Sequence, residues 1–175
     1  MRTCVERSVM PKRLFIDYER CNGCEICALH CSFAKTGTFN PSLSRIHVIG
    51  WEEKGLYVPT VCLHCGDPPC LPACPEAAMS KDRGTEIVSI DYGMCTGCLV
   101  CLSACPYRTL TVDPVENQVL ICDLCDGDPV CARVCPIGVI KYINTDELNL
   151  DEWQRQADNL SEILNSTPDA KERSE

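Results

Sequence analysis

Short runs of β-branched and aromatic residues recur along the chain, and most of them are bounded by turn-forming residues. Runs of this length and composition predict short strands. We place the strands at residues 13–17, 45–49, 55–60, 86–90, 109–112, 119–121 and 139–143. Short helices are predicted inside or just after clusters of cysteine, for example at residues 25–33 and 99–104. This alternation predicts an α+β fold of short strand pairs and short helices.

Beyond residue 146 the pattern changes to a helical period. Apolar residues recur at near-helical spacing between residues 147 and 164, which predicts an amphipathic helix. These residues are Leu148, Leu150, Trp153, Ala157, Leu160 and Leu164. We therefore expect a main domain at residues 1–145, a C-terminal helix at 146–165 and a polar, disordered tail at 166–175. The helix is expected either to dock onto a partner or to cap the main domain.

Sixteen of the seventeen cysteines fall into four groups of four. The first and third groups share the spacing C-x2-C-x2-C-x3-C, and the middle gap widens to four residues in the second group and to five in the fourth. The groups are Cys21, Cys24, Cys27 and Cys31; Cys62, Cys65, Cys70 and Cys74; Cys95, Cys98, Cys101 and Cys105; and Cys122, Cys125, Cys131 and Cys135. Cys4 stands outside them and is interpreted as a bystander rather than a redox-active thiol.

The flanks of the groups repeat as well. Residues 16–18 and 90–92 are both Ile-Asp-Tyr and stand at the same distance before a regular group, and Gly23 and Gly97 occupy the same place within it. We interpret this as a duplication of a unit that holds one regular and one widened group. Similar loops alone would explain matches inside the groups, but the shared Ile-Asp-Tyr lies outside them.

Composition and charge narrow the function. The net charge of −9 disfavours nucleic-acid binding, which normally needs a basic face. The first residues lack an apolar signal-peptide region, and no apolar run is long enough to cross a membrane. We expect a cytoplasmic protein, and in that compartment so many cysteines are more often metal ligands than disulfides.

The spacing favours iron–sulfur chemistry. Three thiolates in a C-x2-C-x2-C loop converge on one [4Fe–4S] cluster, and the fourth cysteine faces away towards the other cluster of a pair. Zinc is the main alternative, but Zn–S4 sites typically use two separate C-x2-C pairs. No three cysteines have the C-x3-C-x2-C order of a radical enzyme that uses S-adenosylmethionine. Four groups predict four clusters.

The motifs resemble those of the four-cluster electron-transfer subunits of molybdenum and tungsten pterin oxidoreductases. The resemblance runs from about residue 14 to residue 142. It is carried by Cys-Asn-Gly-Cys-Glu-Ile-Cys from Cys21, Cys-Leu-His-Cys-Gly-Asp-Pro-Pro-Cys from Cys62, Cys-Thr-Gly-Cys from Cys95 and Cys-Asp-Leu-Cys-Asp-Gly from Cys122. The size is most similar to small partners of tungsten aldehyde-oxidoreductase-type enzymes, a class that includes tungsten benzoyl-CoA reductase. The resemblance implies duplicated bacterial-ferredoxin-like modules and a larger catalytic partner, with a further electron-donor or acceptor subunit as an additional partner.

The resemblance also implies which cysteines share a cluster. The outer groups, at residues 21–31 and 122–135, exchange their fourth ligands, and so do the inner groups, at 62–74 and 95–105. Spacing alone favours such crossing but does not choose the partners. The implied sets are Cys21, Cys24, Cys27 and Cys135 (cluster 1); Cys122, Cys125, Cys131 and Cys31 (cluster 2); Cys62, Cys65, Cys70 and Cys105 (cluster 3); and Cys95, Cys98, Cys101 and Cys74 (cluster 4).

Several other side chains have more than one interpretation. His64 lies inside the second group, where a supporting or surface role is favoured over metal ligation. Tyr18 and Tyr92 are expected to pack over clusters as structural covers. No acid, base or substrate pocket is predicted, so we expect the chain to have no catalytic activity on its own. Two functions remain: a subunit that relays electrons within a larger enzyme, or a free polyferredoxin that carries them between enzymes.

Overall fold

The computed structural model describes residues 12–145. Cys4, the predicted C-terminal helix and the predicted disordered tail lie outside these residues. Between residues 12 and 145 the chain forms short helices and short strands. The helices are α1 (Ile26–Thr36), α2 (Cys70–Ala73), α3 (Val100–Ala104) and α4 (Val130–Val134). The strands are β1 (Lys12–Ile16), β2 (Ile46–Trp51), β3 (Leu56–Val61), β4 (Met79–Lys81), β5 (Val88–Ile90), β6 (Thr111–Val112), β7 (Val119–Leu120) and β8 (Ile140–Asn144).

All the described strands form antiparallel pairs. The hairpins β2–β3, β4–β5 and β6–β7 each join neighbours along the chain, whereas β1 pairs with β8 and so joins the two ends of the described region. The α+β fold of short strand pairs is thereby confirmed. β4 is an addition to the predicted strands, and the strands predicted at 86–90 and 109–112 begin later, at Val88 and Thr111.

Proline decides how far each helix extends. In the last three groups a proline directly follows the fourth cysteine, and α2, α3 and α4 each end at the residue before that cysteine. Proline disfavours the helical conformation for the residue before it. Ser32 stands at this place in the first group, so α1 continues through Cys31 to Thr36 and ends at Gly37. The helix predicted at residues 25–33 is therefore longer than expected.

The apolar side chains form two cores that include cysteines. The outer core joins Cys27, Cys31, Cys122 and Cys131 to residues of β2, β3 and β8, and α1 packs against α4 beside it. The inner core contains Cys70 and Cys101 with residues of β4, β5 and β7, and α2 packs against α3. Cys62 packs against both cores. Each of the four cysteine groups thus contributes at least one cysteine to one of the two cores.

Candidate metal centre

The C-x2-C loops share one backbone feature. The residue just before the second cysteine has a positive φ in every group: +72° at Gly23, +47° at His64, +70° at Gly97 and +56° at Leu124. This left-handed conformation folds the loop back so that both cysteines of the pair face one side. Glycine adopts it without strain, whereas His64 and Leu124 adopt it against their normal preference.

Gly23 has a second reason to be glycine. A Cβ at this position would lie 2.5 Å from Cδ1 of Tyr57, a ring that also covers Gly50 across the β2–β3 pair. A Cβ at Gly97 would instead lie 2.9 Å from the carbonyl oxygen of Asn117. The matched loops therefore pack against different neighbours, and Tyr57 is a contributor that the sequence did not indicate.

In the outer part of the fold, four cysteines from two distant groups line one cleft. They are Cys21, Cys24, Cys27 and Cys135, and the cleft has a volume of about 290 Å³, which includes space open to solvent. Burial, followed by repulsion from the other three cysteines, raises the pKa of Cys27 to about 12, although the Ala28 N–H lowers it. The β1–β8 pair and the contact between α1 and α4 bring Cys135 to the first group.

A matching cleft lies in the inner part. It has a volume of about 340 Å³, which again includes space open to solvent, and its lining includes Cys74, Cys95, Cys98 and Cys101. Cys74 comes from the second group and the others from the third. Burial raises the pKa of Cys101, and repulsion from Cys95, Cys70 and Cys74 adds to the shift.

The other cysteines are related by mutual repulsion. Burial raises the pKa of Cys62 to about 11, and repulsion from Cys70, Cys65 and Cys105 adds to the rise. Burial likewise raises the pKa of Cys131 to about 12, and repulsion from Cys31, Cys125 and Cys27 adds to the rise. The cysteines proposed for each of these two clusters again combine three members of one group with one member of another. Cys27 also repels Cys131, although it is proposed for the neighbouring cluster 1.

The donor chemistry of these sets fits iron–sulfur clusters. All sixteen cysteines in the described region are free thiols. Buried thiolates of like charge are unfavourable unless cations and hydrogen-bond donors stabilise them, and amides supply donors here. The N–H groups of Arg45 and Leu124 lie 3.4 Å from the Sγ atoms of Cys31 and Cys122. Within residues 12–145, no three His, Cys, Asp or Glu side chains are arranged to hold a single metal ion.

Cys105 differs from the other cysteines. Burial by itself would raise its pKa, but the N–H and hydroxyl of Thr109 and the N–H groups of Tyr107 and Arg108 together lower it. The Thr109 hydroxyl lies 3.6 Å from Sγ. Among the described cysteines whose pKa shifts, Cys105 is the one whose pKa is lowered. Its thiolate form is therefore the most favoured of these, which suits a metal ligand.

An ion pair adds a cation beside the fourth group. Lys35 Nζ on α1 lies 2.6 Å from Oδ2 of Asp123, and Oδ1 of Asp123 accepts a hydrogen bond from the Cys125 N–H at 2.9 Å. Burial lowers the pKa of Lys35, but its bond to Asp123 and the charge of Cys125 give a net rise. This pair could not be predicted from the sequence, because its partners are far apart along the chain.

The structure distinguishes the aromatic and histidine candidates. Tyr18 is only 5 % exposed, whereas Tyr92 is 43 % exposed and donates its hydroxyl to the Val119 carbonyl at 3.0 Å. Their role as covers stays a prediction, and their burial differs despite matched sequence positions. His64 is 3 % exposed, so a surface role is wrong. Burial lowers its pKa to about 4.

Comparison with known proteins gives consistent matches. The family model described as "4Fe-4S dicluster domain" matches residues 53–145. The chain is 34 % identical over 142 residues to the NADH-dependent phenylglyoxylate dehydrogenase subunit beta of Aromatoleum evansii, covering 79 % of this chain and 32 % of that protein. It is 37 % identical over 122 residues to the aliphatic sulfonate oxidoreductase, polyferredoxin-like subunit, of Pyrococcus furiosus, covering 70 % of each. The chain thus spans about a third of the first relative.

Among solved structures, the fold resembles a chain of the active site complex BamBC of benzoyl coenzyme A reductase in complex with benzoyl-CoA. The TM-score is 0.49 at 24 % identity, and the match covers 94 % of this chain and 98 % of that chain. No helix within residues 12–145 is long and apolar enough to cross a membrane.

Proposed function

The chain belongs to the 4Fe–4S dicluster domain family, and from that membership we propose that it is the electron-transfer subunit of a larger oxidoreductase. It relays electrons through four [4Fe–4S] clusters to or from a catalytic subunit and does no substrate chemistry itself. Each cluster, when bound, accepts and releases one electron. The chain's residues ligate the clusters, exclude water from them and set their order.

The observation that carries the proposal is the pair of clefts, each lined by four cysteines. One contains the cysteines proposed for cluster 1 and the other those proposed for cluster 4. In both, three cysteines come from one group and the fourth from another. Such sharing of the fourth ligand is how two-cluster ferredoxins hold their paired clusters.

Contacts between the sets support a linear order from cluster 1 to cluster 4. Repulsion between Cys27 and Cys131 joins sets 1 and 2, and repulsion between Cys70 and Cys101 joins sets 3 and 4. Cys62 of set 3 packs against both cores, so set 3 lies on the side of the inner pair that adjoins the outer core. Ile121 also belongs to the inner core, while the next residue, Cys122, belongs to the outer core.

Cysteine exposure supports the same order. Among the sixteen described cysteines only Cys24 and Cys98 are exposed. They belong to sets 1 and 4, at the two ends of the proposed order, whereas every cysteine of sets 2 and 3 is buried or half-buried. A relay needs its terminal clusters near the surface, where electrons arrive and leave, and its middle clusters shielded.

We assign the catalytic partner to the tungsten or molybdenum pterin class, of aldehyde-oxidoreductase or benzoyl-CoA-reductase type. Both relatives are subunits of larger redox enzymes by name. The chain's charge of −9 calls for a basic or apolar partner surface. A second donor or acceptor subunit would bind the opposite end, and the complex is proposed to operate in the anaerobic cytoplasm.

Metal analysis of the native complex tests the proposal. The chain, tagged in its native cells, is purified anaerobically and assayed for iron, tungsten, molybdenum and zinc. About sixteen irons per copy, after correction for partner clusters, together with tungsten or molybdenum in a larger subunit, would support the relay. Sixteen irons in a lone chain would favour a free polyferredoxin, and zinc with little iron would refute the cluster assignment.

A further inference from the structure

His64 occupies an unusual position between two cysteines of the second group. Its backbone φ is +47°, the conformation that glycine adopts at the matching places in the regular groups. Its side chain is 3 % exposed. Nδ1 accepts a hydrogen bond from the Val88 N–H at 3.0 Å and lies 4.0 Å from Sγ of Cys62.

The bond from Val88 fixes the tautomer. Because Nδ1 accepts this hydrogen bond, it carries no hydrogen of its own. The neutral imidazole must therefore carry its hydrogen on Nε2. Nε2 is buried and has no hydrogen-bond partner within the part of the chain that the structure describes. Buried donors are nearly always satisfied in folded proteins, so this donor requires an acceptor other than the protein atoms around it.

The residues around His64 place its ring beside a group of cysteines. His64 lies against Cys62, the residue that contacts both cores, and Val88 belongs to the inner core. The pKa of the ring is influenced by the charges of Arg13 on β1, Asp123 in the fourth group and Lys81 on β4. His47 Nε2 is also unpartnered, but within residues 12–145 the His47 ring makes no hydrogen bond to a cysteine sulfur, whereas His64 Nδ1 lies 4.0 Å from Sγ of Cys62.

We propose that the Nε2–H of His64 donates a hydrogen bond to a sulfur of the cluster held by Cys62, Cys65, Cys70 and Cys105, and so raises the reduction potential of that cluster. The inference rests on the proposed function, because it requires the cluster. A donor to sulfur stabilises the more negative, reduced state more than the oxidised state, and hydrogen bonds to sulfur are an established control of cluster potential. His64 is thus a positioning residue at the junction between the outer and inner pairs.

The test compares His64→Phe, which keeps a ring but removes the donor, with His64→Gln, which keeps an N–H near the place of Nε2. His30→Phe is the matched control, because His30 is also next to a group cysteine in sequence but its ring packs edge-on against Phe39. The full chain is prepared anaerobically, and about sixteen irons per chain are verified first. A chain without clusters would refute the proposed function, whereas the following measurements address His64 alone.

Potentials are then measured by redox titration followed by electron paramagnetic resonance. In His64→Phe the reduction equilibrium constant of one cluster should fall about fivefold, or about 40 mV at 59 mV per tenfold for one electron. His64→Gln should recover part of this loss, and His30→Phe should leave every potential unchanged. A fully loaded His64→Phe chain with unchanged potentials would overturn the proposal.

A second readout does not depend on the variant folding. The wild-type chain is labelled with ¹⁵N-histidine, reduced, and examined by pulsed paramagnetic resonance. We expect a ¹⁵N coupling to one cluster that His30→Phe retains and His64→Gln abolishes. The absence of any such coupling in the loaded wild-type chain would overturn the proposal even if His64→Phe fails to bind clusters.

Discussion

Replacing Gly23 with alanine should destabilise the chain more than the same change at Gly37. The two glycines have nearly identical backbones, with φ of +72° and +73°. A Cβ at Gly37 would meet nothing within 4 Å, whereas a Cβ at Gly23 would lie 2.5 Å from Cδ1, 2.6 Å from Cε1 and 2.8 Å from Cγ of Tyr57. Gly37→Ala is therefore a control for conformational strain alone.

The magnitudes follow from these contacts. A left-handed conformation costs a residue with a Cβ about 1–2 kcal/mol, and both variants bear this cost. Tyr57 cannot easily move away from Gly23, because its ring also packs closely against Gly50. A Cβ at Gly50 would lie only 3.2 Å from Cδ1 and Cε1 of Tyr57. Overpacking of this kind costs about 1–3 kcal/mol more. Gly23→Ala should thus lose about 2–5 kcal/mol in total.

Thermal unfolding of the loaded chain under argon, followed by circular dichroism at one scan rate, measures the difference. At about 2–4 °C per kcal/mol for a chain of this size, Gly23→Ala should melt about 2–12 °C below Gly37→Ala. Adding Tyr57→Val to both backgrounds should remove most of that difference. Equal melting temperatures for the two alanine variants, or no relief from Tyr57→Val, would refute the packing argument.

Three further outcomes are expected. Lys35→Met leaves the negative charge of Asp123 unpaired beside Cys125 and should lower the reduction potential of cluster 2. Asp123→Asn leaves the positive charge of Lys35 unpaired and should raise that potential. Shifts of the same sign in a redox titration would contradict this expectation. Cys31→Ser should reproduce the paramagnetic defect of Cys125→Ser and not that of Cys24→Ser, because Cys31 is proposed to ligate the cluster of the fourth group. Removing iron with a chelator should abolish most of the far-ultraviolet circular dichroism, since cysteines form part of both cores, and an unchanged spectrum would contradict that role.

The elements with strong local signals could be predicted from the sequence. Each predicted strand overlaps an observed one, because β-branched runs bounded by turn residues depend little on distant contacts. The start of α1 was also predictable, since the helix begins within the first cysteine group. Its end required comparison of Ser32 with the prolines that follow the other groups. β4 escaped prediction because Met-Ser-Lys has no strand signal, and only its pairing with β5 defines it.

The candidate site was less predictable wherever long-range packing decides it. His64 was assigned a supporting or surface role, and only the bond to Val88, far along the chain, shows that the ring is buried and which nitrogen is free to donate. Tyr57 gave no signal, because its role depends on the register that sets it opposite Gly50. The Lys35–Asp123 pair likewise requires α1 and the fourth group to meet.

The sequence repeat and the spatial modules divide the chain differently. The proposed repeat joins the first group to the second and the third to the fourth, whereas α1 packs against α4, α2 against α3, and β1 pairs with β8. Each spatial module therefore takes one regular group from one repeat and one widened group from the other. Each repeat contains one complete hairpin, β2–β3 or β6–β7, but neither contains a complete core of its own, so the two halves must fold around each other. This nesting also places contacts between the inner and outer modules at Cys62 and at the step from Ile121 to Cys122, where we propose that electrons pass from one module to the other.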